Sequence, residues 1–344
     1  MTYPPLEPYT YSAPHHTGAA PEVFSPPHET PPQPPPRPMV FWNVLLFVLT
    51  GFTTLAAGWY NAFRFLFQEE MAETFKPETL PVALLSYFIA ISPYLLRGLL
   101  SPIVWLNGVL FSFSILLILG CHELGHYLTC RRYGVDATLP YFLPFPSIVG
   151  TMGAFIRIRS PIPTRKILFD IGVAGPIAGF VVAVPIAFLG LAQSTVIRTA
   201  DTGSIMVFGE PLVMAWMRSV LFGPLPADSV LFIHPMAFAG WFGFLATAFN
   251  LLPVGQLDGG HMLYACMGNA YRWVGRAVFV VALVLSLWWP GWLLWCVIFA
   301  LMGFRHPRVQ YSEEPLDGRR LLVACFGLAM LVLTFIPVPV WFVE

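Results

Sequence analysis

Long, continuous apolar runs dominate the pattern of this chain. They lack the alternation of a half-buried strand, and several reach the roughly 20 residues needed to cross a bilayer core. The first runs from about Met39 to Phe63. A polar stretch, Arg64 to Glu78, precedes a shorter apolar piece from Pro81 to Leu96. That piece either crosses the membrane or lies at its interface, and the interfacial placement is preferred. Leu99 to Thr129 is a long apolar stretch, interrupted near Pro102 and Asn107. Ile167 to Leu191, Ser229 to Leu252, Ala277 to Phe304 and Leu321 to Phe342 follow. Trp288-Trp-Pro-Gly-Trp292 predicts a tight turn that splits the third of these into two short spans. Tyr141 to Ile158 is apolar but too rich in Pro and Gly for a helix. The pattern predicts an all-α polytopic membrane protein with about six to eight transmembrane helices. A re-entrant loop or β-hairpin is expected after the Leu99–Thr129 helix.

The polar loops orient these spans. Short loops rich in Lys and Arg stay cytoplasmic. Arg131, Arg132, Arg157, Arg159, Arg165 and Lys166 fall in one loop, and Arg272, Arg276, Arg305, Arg308, Arg319 and Arg320 in later ones. All are expected on one side. The stretch Gln193 to Asp228 carries only Arg198 and Arg218 and is expected on the other. Charge before Arg131 leaves the side of the N-terminus undecided.

Composition agrees with a membrane solvent. Of the 344 residues, 57% are hydrophobic and 10% charged, with mean hydropathy +0.70; soluble domains carry about 25% charged residues. Lys+Arg and Asp+Glu balance at 18 each, and no basic patch suggests a nucleic-acid partner. The five cysteines form no C-x-x-C pair and are expected as small packing residues. Residues 1–38 differ from the rest: they hold 13 of the 34 prolines and one basic residue, Arg37. They are expected to form a disordered tail, with a proline-rich docking segment as the alternative. They lack the layout of a signal peptide. Residues 39–344 are expected to form one membrane-embedded domain.

The chemistry-bearing residues sit at the end of the Leu99–Thr129 stretch. His122 and His126 are four apart, so a helix puts both imidazoles on one face, within reach of a single Zn²⁺. Glu123 is placed to act on a metal-bound water without being a ligand, which is the H-E-x-x-H arrangement. Ionisable groups inside a membrane cost about 2.5–3.5 kcal/mol each or more, so three in one turn need a compensating partner. A catalytic zinc takes three protein ligands. Asp258 is the best third candidate, because it follows an apolar span on the same side as Arg131 and begins an Asp-Gly-Gly turn. His261 is a candidate supporting partner. His234 is placed at the opposite end of its span, and Asp170 is expected to pair with Arg165 or Lys166.

His122-Glu-Leu-Gly-His126, together with Asn250-x-x-Pro253-x-x-x-Leu257-Asp258-Gly259, resembles the site-2 protease family of intramembrane zinc metalloproteases. The resemblance covers about Leu99 to Arg308 and is closest to the branch without a PDZ domain. It implies one Zn²⁺ per chain held by His122, His126 and Asp258, with Glu123 as general base. It also implies that Asn250 contacts the substrate backbone or the oxyanion. Gly172-Val-Ala-Gly-Pro-Ile-Ala-Gly179 resembles a glycine-rich span of the family, where small residues permit close helix packing. The implied function is hydrolysis of peptide bonds in or near single-span membrane-protein substrates, in regulated proteolysis. A substrate helix must unwind first, and the segment holding Gly150 and Gly153 is expected to pair with it by β-augmentation. A transporter or channel with a buried metal or charge site is the main alternative. The expected location is a bacterial inner membrane with the active site near the cytoplasmic face; archaeal and plastid membranes are the alternatives.

Overall fold

The computed structural model describes residues 40–68, 84–198, 205–226, 229–304, 309 and 315–343. The proline-rich segment 1–38, most of the polar stretch after Arg64, and Arg305 and Arg308 lie outside them.

The apolar runs fold as helices. α1 spans Val40–Leu66, α2 Leu84–Leu100, α3 Pro102–Arg132 and α4 Arg165–Leu191. α5 spans Leu212–Phe222, α6 Pro235–Leu251, α7 Asp258–Met267, α8 Tyr271–Leu285, α9 Gly291–Met302 and α10 Gly318–Thr334. By length and composition, α1, α3 and α4 are able to cross a membrane. Large apolar side chains stay exposed along the helices, among them Phe52, Phe113, Val181, Leu294 and Leu301. That is a surface for hydrocarbon rather than water.

In hydrocarbon, helices gain little from burying apolar side chains, so close backbone approach has to hold them together. The crossings here occur at small residues. A Cβ on Gly58 of α1 would lie 2.4 Å from the Gly108 carbonyl of α3. On Gly125 of α3 it would lie 2.5 Å from the Ala174 carbonyl of α4, and on Gly190 of α4, 2.1 Å from the Ala237 nitrogen of α6. One hydrogen bond, Thr54 Oγ1 to Ser112 Oγ at 2.7 Å, also links α1 to α3. Such bonds contribute on average about 0.6 kcal/mol in membranes, so the packing carries most of the association.

The Pro- and Gly-rich segment after α3 is a β-hairpin. β1 (Tyr141–Pro144) and β2 (Thr151–Phe155) pair antiparallel, Tyr141 opposite Phe155, with an irregularity between Phe142 and Pro144. Asn43 of α1 anchors its approach by donating to the Leu139 and Pro140 carbonyls at 2.8 and 3.0 Å.

The all-α expectation, which allowed for this hairpin, is corrected in two places. Ser229 to Leu252 is not one helix: β5 (Ser229–Phe232) pairs with β3 (Thr195–Arg198), and α6 begins only at Pro235. His234 caps it, and Pro235 takes the first helical position, where its missing N–H costs nothing. Leu321 to Phe342 likewise ends as helix at Thr334. Pro337 and Pro339 follow, and β6 (Val340–Val343) pairs with β4 (Ile205–Phe208).

Candidate metal centre

His122, Glu123 and His126 lie in the last three turns of α3 and are all buried, at 6–7% exposure. Their apolar helix brings them to the end that carries Arg131 and Arg132. The His126 Nδ1 lies 2.7 Å from the Ile171 carbonyl oxygen of α4. A carbonyl only accepts, so Nδ1 carries the proton and Nε2 is left with a free lone pair.

Asp258 reaches the same point from the far side. It is the first residue of α7, not part of a turn, and its carboxylate gains from the helix N-terminus. The turn 251–255 sets its position. A Cβ on Gly259 would lie 1.9 Å from the Leu251 carbonyl, and one on Gly260 2.5 Å from the Gly255 carbonyl. Both glycines are therefore needed for the first turn of α7 to lie flat on that backbone.

The three donors form a nearly equilateral triangle. His122 Nε2 and His126 Nε2 are 3.1 Å apart, and Asp258 Oδ2 is 3.2 Å from the first and 3.3 Å from the second. Ligands at about 2.0–2.1 Å in a tetrahedron are separated by about 3.3–3.4 Å. Two imidazoles and one carboxylate also match a catalytic zinc set with one position open. The residues present fit a zinc ion in donor type and in spacing.

The Ile156 backbone N–H, just beyond β2, lies near the Glu123 carboxylate. The hairpin therefore ends beside Glu123. The Asn250 amide nitrogen, in the last turn of α6, lies 3.4 Å from His122 Nε2.

The other sequence candidates separate from this cluster. His234 is at the opposite end of α6, its Nε2 2.7 Å from Asn107 Oδ1. Asp170 pairs neither with Arg165 nor with Lys166 in an ion pair found among the described residues. The Arg320 guanidinium instead donates to both its oxygens, at 2.8 and 2.6 Å, and the Tyr133 hydroxyl donates at 2.5 Å. His261 lies one turn along α7 from Asp258, facing Gly172. Gly150 packs its backbone on α1, its carbonyl accepting from Thr53 Oγ1 at 2.6 Å. Gly153, at φ +107°, has open space where a Cβ would stand.

The sequence did not reveal what the α4 glycines do at the site. A Cβ on Gly175 would lie 2.1 Å from His126 Nε2, and one on Gly179 3.2 Å from the His122 ring. Gly172, Gly175 and Gly179 share one helix face, and that spacing was the available signal.

The model of peptidase family M50 matches residues 110–287, just over half of the chain. The chain is 33% identical over 236 residues to the probable zinc metalloprotease EGY1, chloroplastic, of Arabidopsis thaliana; the match covers 67% of this chain and 42% of that protein. The EGY1 protein of Oryza sativa subsp. japonica is 31% identical over 245 residues, covering 68% and 40%. The probable zinc metalloprotease EGY2, chloroplastic, of Arabidopsis is 28% identical over 267 residues, covering 75% and 48%. The chain thus spans under half the length of these relatives. No solved structure gave a significant match. The expected bacterial inner membrane is overturned: these relatives are plant proteins whose names place them in the chloroplast. Hydropathy reads a bilayer and not the organelle that owns it.

Proposed function

The chain belongs to peptidase family M50, the site-2 protease family, and from that premise we propose that it is a zinc-dependent intramembrane endopeptidase. Its substrates on this reading are membrane proteins with a single span, cleaved in or near that span during regulated proteolysis. Residues 39–344 form the protease domain, with six to eight passes through the bilayer. The shorter apolar helices α5, α6 and α9 add to the three long ones. One zinc per chain is held by His122, His126 and Asp258. The membrane is a chloroplast membrane, as for the relatives.

One observation carries this reading: the triangle of His122, His126 and Asp258, with the buried Glu123 beside it. Bound zinc supplies Lewis acidity and an acidified water, with pKa near ~7. The rest is work for the chain's own side chains. Glu123 takes a proton from the attacking water and hands it to the leaving amine. The Ile156 N–H beside it faces the carboxylate from the end of the hairpin. Asn250 holds the substrate carbonyl as its oxygen gains charge. An unwound substrate segment lies along β2, where Met152 and Phe155 are exposed and Gly153 leaves a gap.

The test combines a metal assay with cleavage of a single-span substrate by the full chain in detergent. One zinc per chain is expected, lost in His122→Ala and Asp258→Ala. Glu123→Gln should keep zinc and lose cleavage by roughly 10²–10⁴-fold. Cleavage undiminished in Glu123→Gln would sink the proposal.

A further inference from the structure

A cavity lies away from the metal centre. It has a volume of about 310 Å³ and is lined by Arg272 and Arg276 of α8 and by Met302, Gly303 and Phe304 at the end of α9. The two arginines are four apart, so they stand one turn apart on one face. Both guanidiniums flank the Trp273 ring, at 5.8 and 4.6 Å from its centroid. Among the described residues, neither forms an ion pair. Two exposed cations thus share one concave site whose remaining wall is apolar.

Its surroundings identify the ligand. α8 and α9 run antiparallel, joined by the turn after Leu285, so the cavity sits where both reach the same end. Below it their outer faces are apolar and exposed: Val280 and Val284 on α8, Leu294 and Leu301 on α9. Trp273, 62% exposed, stands beside the two arginines, and exposed tryptophans are enriched at membrane interfaces. Paired guanidiniums suit a phosphate or sulfonate group, and the apolar faces beneath suit acyl chains.

We propose that this cavity binds the anionic headgroup of a membrane lipid, with its chains lying along α8 and α9. The site also touches the catalytic scaffold. A Cβ on Gly275 would lie 3.3 Å from the Pro253 carbonyl and 3.5 Å from Phe304, and one on Gly255 3.0 Å from the Gly303 carbonyl. The cavity wall therefore rests on the turn between α6 and α7 that sets Asp258. A bound headgroup braces that turn from outside.

The experiment reads binding alone, so it stands or falls independently of protease activity. Full-length protein in neutral detergent is titrated with phosphatidylglycerol, phosphatidylcholine or inorganic phosphate and followed by native mass spectrometry. Phosphatidylglycerol should be retained over phosphatidylcholine. The Arg272→Gln/Arg276→Gln variant should bind it about 30-fold more weakly. Met302→Trp, which fills the cavity and keeps both arginines, should also weaken it. Arg131→Gln/Arg132→Gln, which removes two exposed cations at the metal-site end, should not. Equal retention by the Arg272/Arg276 variant, or an equal loss in the Arg131/Arg132 variant, overturns the proposal. Inorganic phosphate binding as tightly as the lipid overturns the lipid assignment and leaves a soluble-anion site.

Discussion

Gly175 and His126 compete for one space: a Cβ added to Gly175 would stand 2.1 Å from the imidazole Nε2 that faces the metal site. His126 cannot swing away cheaply, because its Nδ1 is held by the Ile171 carbonyl. Gly175→Ala is therefore expected to weaken zinc binding by about 10–100-fold, the scale of losing a supporting contact to a ligand. Zinc retention against a graded chelator measures it, with detergent melting as the folding control. Wild-type retention in this variant would refute the role assigned to Gly175.

Gly179→Ala should be milder. Its Cβ would meet the His122 ring at 3.2 Å, a distance that a shift of a few tenths of an ångström relieves. The same chelator series should rank the wild type above Gly179→Ala, and Gly179→Ala above Gly175→Ala.

Gly153→Pro probes the hairpin. Proline cannot adopt φ +107°, and it removes the N–H that donates to Thr151 Oγ1 at 3.0 Å. Cleavage of a single-span substrate should fall while zinc content stays at the wild-type level. Unchanged cleavage would count against substrate pairing along β2.

Arg320→Ala should destabilise the fold without touching the metal donors. Among the described residues it leaves Asp170 with Tyr133 alone, and it removes the ion pair between α10 and α4. The pair is about one-quarter exposed, so a loss of about 1.5–3 kcal/mol is expected for hydrogen bonds between charged groups. Arg320→Lys should recover only part, since an ammonium cannot make the forked contact. Melting temperature in detergent distinguishes the three proteins.

Much of the site was legible because it is local. Helical periodicity alone places His122 beside His126, and the basic loops put Asp258 at the same end as Arg131. The rest depended on long-range contacts. Arg320 lies 150 residues from Asp170, so charge proximity along the chain favoured Arg165 or Lys166 instead. Ser229–Phe232 and Val340–Val343 carry the same apolar residues as the helices beside them, and only Pro235, Pro337 and Pro339 mark the breaks. The α4 glycines read as packing residues because their function is an absence of volume, visible only once the imidazoles are in place.

The order in which the donors leave the ribosome follows from the same geometry. Asp258 comes 136 residues after His122. At about 5–20 residues per second, the growing chain carries both imidazoles and Glu123 for about 7–27 s before its proposed third donor is made. During that interval the triangle of donors is incomplete. The split between α3 and α7 therefore makes the triangle a late feature of synthesis, closed only after α4, α5 and α6 have been made.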